Sequence, residues 1–366
     1  MSDLLIRVVT IDEVLPHPQA DRLEIIKFGG WQIVAGKGNY VAGQTAVHVP
    51  PDAMVPKNLA DQWGVTAYLS WRKDAVKGRV KAIKLRQAAS FGFLAPNDLS
   101  AEVGENLADR LGIEKYEEPI RMGLQSGQMA HNHPLFHVYT DIQNLRNFPQ
   151  MLNYGDPLIV TEKLHGTNSR VGWVASNTVE GGTVLEKVAG THRTQRKIED
   201  CGVYGLPFEL YGENLNKLFD HILQATGHPG IEEPLFIRSL IIFGEIFGPG
   251  VQDLTYGLKD KKAWRVFDIA VNGKYLSWEN VKSIGTNFDI PIVPHMDPDV
   301  YTFEELCSLA EGDSVLSPGQ IKEGLVVRPI FETTWGKGDL DPYPKRSIFK
   351  LLNSDYLTRK GGTERH

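Results

Sequence analysis

Short apolar runs separated by turn residues fill the first hundred positions. They fall at 4–9, 23–28, 32–35, 45–49, 80–85 and 91–94, and Gly29-Gly30, Gly36, Gly38-Asn39 and Gly43 punctuate them. Runs this short, rich in β-favouring residues and divided by glycine turns, predict a small barrel or sandwich. Residues 100–135 then carry Glu102, Glu105, Asp109, Glu114, Glu117 and Glu118, and read as an acidic, partly helical connector. Beyond it the elements lengthen. Residues 139–145 predict the start of a helix with Thr140 or Asp141 as N-cap. A β-branched run at 157–161 predicts a strand entering a core, as do 170–175 and 183–189. Residues 211–227 read as a helix and 235–243 as a largely apolar strand or helix–strand junction. Further strands are expected at 264–271, 321–329 and 347–353. The pattern gives two domains, 1–135 and 136–366.

Composition adds few restrictions. The 366 residues are 42% hydrophobic and 23% charged, ordinary for a soluble globular protein. Cys201 and Cys307 have no metal-like spacing, which fits a reducing, cytoplasmic setting without a disulfide framework. The first seven residues are too short and too charged for a signal peptide, and no apolar run reaches the ~20 residues of a membrane span. A net charge of −6 argues against a chain coated in nucleic acid.

It leaves room for a local basic track. Between 72 and 86 lie Arg72, Lys73, Lys77, Arg79, Lys81, Lys84 and Arg86 against one acid, Asp74. Alternation in Arg79-Val80-Lys81 places both charges on one face of a strand. Such a face tracks phosphates, with Trp71 and Phe91 near enough to stack bases. The competing reading is a solvated strand face with snorkelling lysines.

The chemistry centres on Lys163, which directly follows the 157–161 run. Gly166 permits a tight turn, and Thr167-Asn168-Ser169 supply short donors and acceptors. A lone lysine there is usually a solvated surface residue. Acids at the ends of other apolar strands change the weight: Glu245 between two glycines, Asp268 inside a core strand, and Glu323 at the mouth of another. Lys350 lies in the last strand-like run.

Lys163-Leu164-His165-Gly166-Thr167-Asn168 resembles motif I of the covalent nucleotidyltransferases, in the form found in RNA ligases. Glu245 within Gly244-Glu245-Ile246-Phe247-Gly248-Pro249-Gly250 resembles motif III, Phe267-Asp268 motif IIIa, Glu323 motif IV and Lys350 motif V. The likeness runs in order over residues 139–357. Residues 17–23, 32–36, 41–44 and 91–96 resemble the OB-fold tRNA-binding module of aminoacyl-tRNA synthetases. With only residues 351–366 after motif V, no further domain is expected there, as in the small RNA ligase group that carries its OB module first.

The resemblance implies an α+β fold: an N-terminal OB-like β-barrel, then a nucleotidyltransferase domain of antiparallel sheets flanked by helices. It implies an ATP-dependent RNA ligase, serving RNA repair and joining 3′-OH and 5′-phosphate ends through lysyl-AMP on Lys163. RNA, broken or nicked, is the expected partner through Arg79, Lys81, Lys84 and Arg86; no membrane and no obligate protein partner are expected. Glu245, Glu323 and Asp268 are the implied ligands of Mg2+ or Mn2+. Asn168, Arg193 and Glu245 are the implied ribose contacts, Phe267 the adenine stack, Glu162 a contact to the base edge, and Lys350 the grip on the α-phosphate. Lys345 and Arg346 are assigned to the outer phosphates or the RNA. His165, also in the nucleotide set, stands where an Asp is usual and removes one carboxylate. Leu352 takes the place of a second motif V lysine. A neutral lysine at pH 7 costs ~4–5 kcal/mol from an ordinary pKa near 10.4, which neighbouring cations and a bound metal offset. A DNA ligase, a capping-type enzyme and a non-catalytic RNA-binding adaptor stay open.

Overall fold

The computed structural model describes residues 3–117, 127–177, 182–225, 237–335 and 345–359. The N-terminal part is a barrel of short antiparallel strands. Arg7–Thr10, Thr45–Val49 and Phe93–Ala95 form one sheet, and Glu13–Pro16, Leu23–Phe28 and Trp31–Gly36 a meander. Glu114–Lys115, Ala53–Pro56 and Lys77–Arg79 form a third sheet, and Ala82–Leu85 pairs with Ala88–Phe91. Inward residues such as Ile6, Val8, Val47, Val49 and Val55 are buried together.

Three expectations change here. The 91–94 run is two strands, because Gly92 has φ +85° and a Cβ on it would overrun the Val49 carbonyl oxygen. Arg79 ends one strand and Lys81 lies between strands, so the two do not share a strand face. The acidic segment 101–117 contains no helix. Leu107 and Ile113 are buried in the barrel core, and Glu114 and Lys115 pair with Met54 and Ala53, so it is a strap of the barrel. Glu118 lies outside the described residues.

The second part is two antiparallel-rich sheets face to face. The larger runs Gln195–Arg196, Thr183–Thr191, Thr167–Asn177, Ser239–Phe247, Ala263–Val271, Lys274–Tyr275. The smaller runs Gln143–Asn144, Phe349–Leu352, Gly324–Pro329, Leu158–Lys163. Phe136, Tyr139, Val174, Ile241, Phe243 and Ile348 join the two faces. On the far side of the larger sheet, Val171, Trp173 and Leu240 pack with Leu215 and Leu218 of the helix Leu206–Ala225 and with Trp278 and Val281 of Trp278–Asn287. Each such fully buried side chain contributes roughly 1.5–3 kcal/mol. The smaller sheet is backed by Leu306 and Ala310 of Phe303–Ala310.

The helix expected at 211–227 starts at Leu206, where Pro207 suits the first turn, and kinks at Tyr211. Gly227 lies outside the described residues. No α-helix forms at 139–145. Tyr139 turns into the core, Gln143–Asn144 pairs in parallel with Phe349 and Lys350, and Asn144 caps a short 3-10 turn, Leu145–Asn147.

The barrel docks on this second part. Trp31 Nε1 donates to Asn147 Oδ1 at 3.1 Å, Arg146 Nη1 donates to the Gly30 carbonyl at 3.0 Å, and Asp3 N donates to Gln143 Oε1 at 2.9 Å.

Candidate active site

Lys163 is the last residue of its strand and pairs in register with Gly324, which places Glu323 beside it. Lys163 Nζ lies 2.7 Å from Glu323 Oε1. The following loop presses against the larger sheet: a Cβ on Gly166 would overrun the Ile246 carbonyl oxygen and touch Glu245 Cγ. Asn168 then sits in register with Glu245. Lys350 comes from the neighbouring strand of the smaller sheet, opposite Val326. Two lysines and two carboxylates distant in sequence therefore meet where the sheets face each other.

Their electrostatics are those of a crowded, partly dry cleft. Burial pushes the Glu245 carboxyl up to about 8, against the pull of Lys163. Burial lowers Lys350 to about 8, and the positive charges of Lys163 and Lys115 add to it. Asn168 Oδ1 is buried without a hydrogen-bond partner. Such an orphan acceptor is costly unless a ligand satisfies it. With two cations beside it, the cleft fits a polyanionic nucleotide. Among the described residues no cluster of three or more metal-binding side chains occurs. Glu245 and Glu323 are the carboxylates placed to hold a hard cation, and phosphate oxygens and water would complete its shell.

Several residues expected at the site stand elsewhere. Asp268 is fully buried in a cage: Oδ2 accepts from Arg346 at 2.9 Å, Arg328 at 3.0 Å and Tyr139 at 2.8 Å, and Oδ1 from Ile269 N. Two guanidiniums already neutralise it, so it is not placed as a metal ligand. Arg346 also pairs with Glu332 at 2.6 Å, so it is a core ion and not a phosphate or RNA contact. Lys345 pairs with Asp3 at 3.0 Å. Glu162 accepts from Ser314 Oγ at 2.5 Å and Val315 N at 3.0 Å, so its carboxylate fastens a neighbouring turn in place of reaching a base edge.

The His165 side chain is buried under the loop, and desolvation holds its pKa below the ordinary value. Its Nε2 lies 2.8 Å from Asp253 Oδ1 and its Nδ1 2.9 Å from the Tyr356 hydroxyl. It therefore belongs to the wall beneath the cleft. Phe267 is partly buried, its ring edge-on to Tyr139 at 5.0 Å. Arg193 lies exposed in the turn after Thr183–Thr191 and lines a cavity of about 440 Å³ with Tyr139, Asp141, His192 and Tyr275. That cavity does not include Lys163.

On the barrel, Arg79 donates twice to Asp52 Oδ1, at 2.6 and 3.0 Å, and covers the Tyr116 ring at 3.8 Å. Lys84 is paired with Asp355 across the domain contact. Trp71 packs over Gly78 and donates to the Thr66 carbonyl, and Phe91 is buried. Of the expected RNA contacts, Lys81 and Arg86 stay exposed, Arg79 and Lys84 are engaged within the protein, Trp71 is partly buried and Phe91 is buried.

Sequence reasoning did not find Asp253, Tyr256, Tyr356 or Arg359. The Tyr256 hydroxyl oxygen accepts from His165 N at 2.5 Å, and Gln252 Nε2 donates to the Gly166 carbonyl at 3.0 Å. The available signal was the polar pair Gln252-Asp253 directly after Gly248-Pro249-Gly250-Val251, so close to an expected site acid.

The RNA ligase family model matches residues 156–351, and an OB-fold domain model matches residues 5–97. A comparison with curated protein sequences gives no match. Solved structures of Naegleria gruberi RNA ligase share the fold. A mutant with ATP and Mn is 23% identical, covers 96% of this chain and 98% of its own, and has a TM-score of 0.73. A mutant with AMP and Mn, also 23% identical, covers 97% and 98% at 0.71, and the enzyme with PPi, at the same identity and coverage, gives 0.69.

Proposed function

Because the chain belongs to the RNA ligase family, we propose that it joins RNA 3′-OH and 5′-phosphate ends with ATP, through AMP carried on Lys163, in RNA repair. The observation that carries this is the Lys163–Glu323 pair at 2.7 Å, set beside Glu245 and Lys350 in one cleft. The Naegleria structures with ATP and Mn, AMP and Mn, and PPi lend support to the same substrates here.

Lys163 Nζ attacks the α-phosphorus of ATP, a P–N bond forms, and pyrophosphate leaves with the electron pair of the broken P–O bond. The nucleophile must be neutral, so Glu323, hydrogen-bonded to it, is the group placed to take its proton. Lys350 holds the α-phosphate as a point charge. Asn168 Oδ1 accepts from the ribose. Glu245 and Glu323 would hold Mg2+ or Mn2+, which supplies charge neutralisation at the phosphate and a lower lysine pKa. A terminal RNA 5′-phosphate then takes AMP from Lys163, and a 3′-OH displaces AMP to close the strand.

The RNA approaches over the barrel. Tyr68 is 77% exposed, Arg79 lies over the Tyr116 ring at 3.8 Å, and Arg72 donates to the Tyr116 hydroxyl at 2.7 Å. Tyr116 follows Lys115, whose charge reaches Lys350. Together with exposed Lys73 and Lys81 this makes an aromatic-interleaved cationic path ending at the cleft, the form single strands favour. The two cysteines, both free thiols, fit a cytoplasmic setting.

The test is label transfer from α-labelled ATP with Mg2+ or Mn2+, read on a denaturing gel. Wild type becomes labelled and Lys163→Ala does not. A wild-type chain that binds RNA and never takes label is the adaptor instead, and use of GTP marks a capping-type enzyme.

A further inference from the structure

The short helix Ser354–Thr358 touches both parts of the molecule, and the ligation chemistry above does not use it. Asn353 caps it, its side chain accepting from Asp355 N and Tyr356 N. On one side Asp355 pairs with Lys84 of the barrel, and Leu357 packs against Ala82, Ala89 and Phe91. On the other side Tyr356 is buried, its hydroxyl 2.9 Å from His165 Nδ1. Arg359, one residue past the helix, covers the Tyr356 ring at 3.6 Å and donates to Asp253 Oδ2 at 3.2 Å. Asp253 Oδ1 in turn lies 2.8 Å from His165 Nε2.

A ring held at both nitrogens has one orientation. The tautomer with its proton on Nε2 satisfies both contacts: Nε2–H donates to Asp253, and Nδ1 accepts from the Tyr356 O–H. His165 is two residues from Lys163, and its Nδ1 is 3.9 Å from Glu323 Oε2. Its backbone N–H is fixed on Tyr256 as well. A shift of the ring is therefore passed to the loop that carries the nucleophile and to the carboxylate paired with it. Buried polar contacts of this kind have discrete arrangements and do not slide, because the alternative leaves a ring nitrogen unpaired.

We propose that the helix Ser354–Thr358 is a positioning element for lysine adenylation: Tyr356 and Asp253 fix His165 and hence Lys163, and Asp355 and Leu357 make that placement depend on the seating of the barrel. The proposal rests on the lysyl-AMP reading. It names Asp253 and Tyr356 as positioning residues acting through His165, and it gives the docked barrel a part in the first chemical step.

The experiment is single-turnover label transfer from α-labelled ATP to the full-length chain, with ATP concentration varied and the melting temperature recorded. Tyr356→Phe and Asp253→Asn slow the maximal labelling rate about tenfold or more, with the ATP concentration for half-maximal rate changed less than about twofold. Melting temperatures stay close to wild type, and Lys84→Glu slows labelling while the swapped Lys84→Glu/Asp355→Lys pair restores it. Wild-type labelling rates in both Tyr356→Phe and Lys84→Glu overturn the proposal. A loss of rate that only follows a falling melting temperature, or a charge reversal that the swap does not rescue, overturns it too. If wild type itself never labels, the ligase reading fails, and that result is distinct from these.

Discussion

Lys163 and Glu323 meet at 2.7 Å although 160 residues separate them, with the lysine side chain 26% and the glutamate 10% exposed. The strand pairing that aligns Lys163 with Gly324 brings Glu323, the residue before it, beside the lysine. In the proposed reaction the glutamate orients the amine and accepts its proton.

Glu323→Gln keeps the shape and removes the charge. It is expected to lower the rate of lysine adenylation by about 10²-fold or more, as for loss of a positioned proton acceptor. Single-turnover labelling reads this, with circular dichroism to show that the fold persists. A rate within about twofold of wild type contradicts the assigned role.

Asp268→Ala separates a structural acid from a catalytic one. It leaves Arg328 and Arg346 buried near an empty place, and breaking a buried pair in this way costs about 3–5 kcal/mol. Thermal or urea unfolding is expected to show that loss. Manganese affinity of the protein that remains folded stays as in wild type; a selective loss of metal with unchanged stability restores Asp268 to the metal site.

The proposed adenylation is expected to have a pH window set by two groups near 8. Glu245 is raised to about 8, so below that pH metal binding must displace its proton, and metal affinity rises as pH climbs toward 8. Lys350 is lowered to about 8, so above that pH it loses the charge that holds the phosphate, and ATP binding weakens. Metal titrations and ATP saturation curves from pH 6 to 10 check both limbs. Lys350→Arg, which keeps its charge, is expected to remove the alkaline fall in ATP affinity even if its rate is lower.

The proposed RNA path gives a charge signature. Removing Lys73 and Lys81 together weakens RNA binding and lowers the slope of log affinity against log salt by about 1–2, and Tyr68→Ala costs ~1–3 kcal/mol of binding by lost stacking. Label transfer from ATP is untouched in these variants. Fluorescence anisotropy at several salt concentrations measures the first two effects; unchanged slopes move the RNA to another face.

The glycine-punctuated runs made a barrel predictable because a strand of five residues between tight turns has few other ways to bury one face. The order Lys163, Glu245, Glu323, Lys350 was likewise legible, through the resemblance of the short segments around them to the ligase motifs; Lys163 ends its strand and Glu323 directly precedes one, while Glu245 and Lys350 lie within theirs. Local chemistry of this kind is written in neighbouring residues.

Partnership is not. Asp268, Arg346, Glu162 and Lys84 look from the chain like site residues, yet each is claimed by a charge or donor that arrives from far along the sequence. Asp253 and Tyr356 carry no motif, yet the fold brings both onto His165. The sequence by itself determined most of the strands, through periodicity and turn chemistry within a few residues, and the reactive groups they carry, through short ordered motifs. Only the packing of the two sheets and the barrel decided which charges neutralise one another, because in a desolvated interior every ion must find a partner, and that partner is set by tertiary geometry.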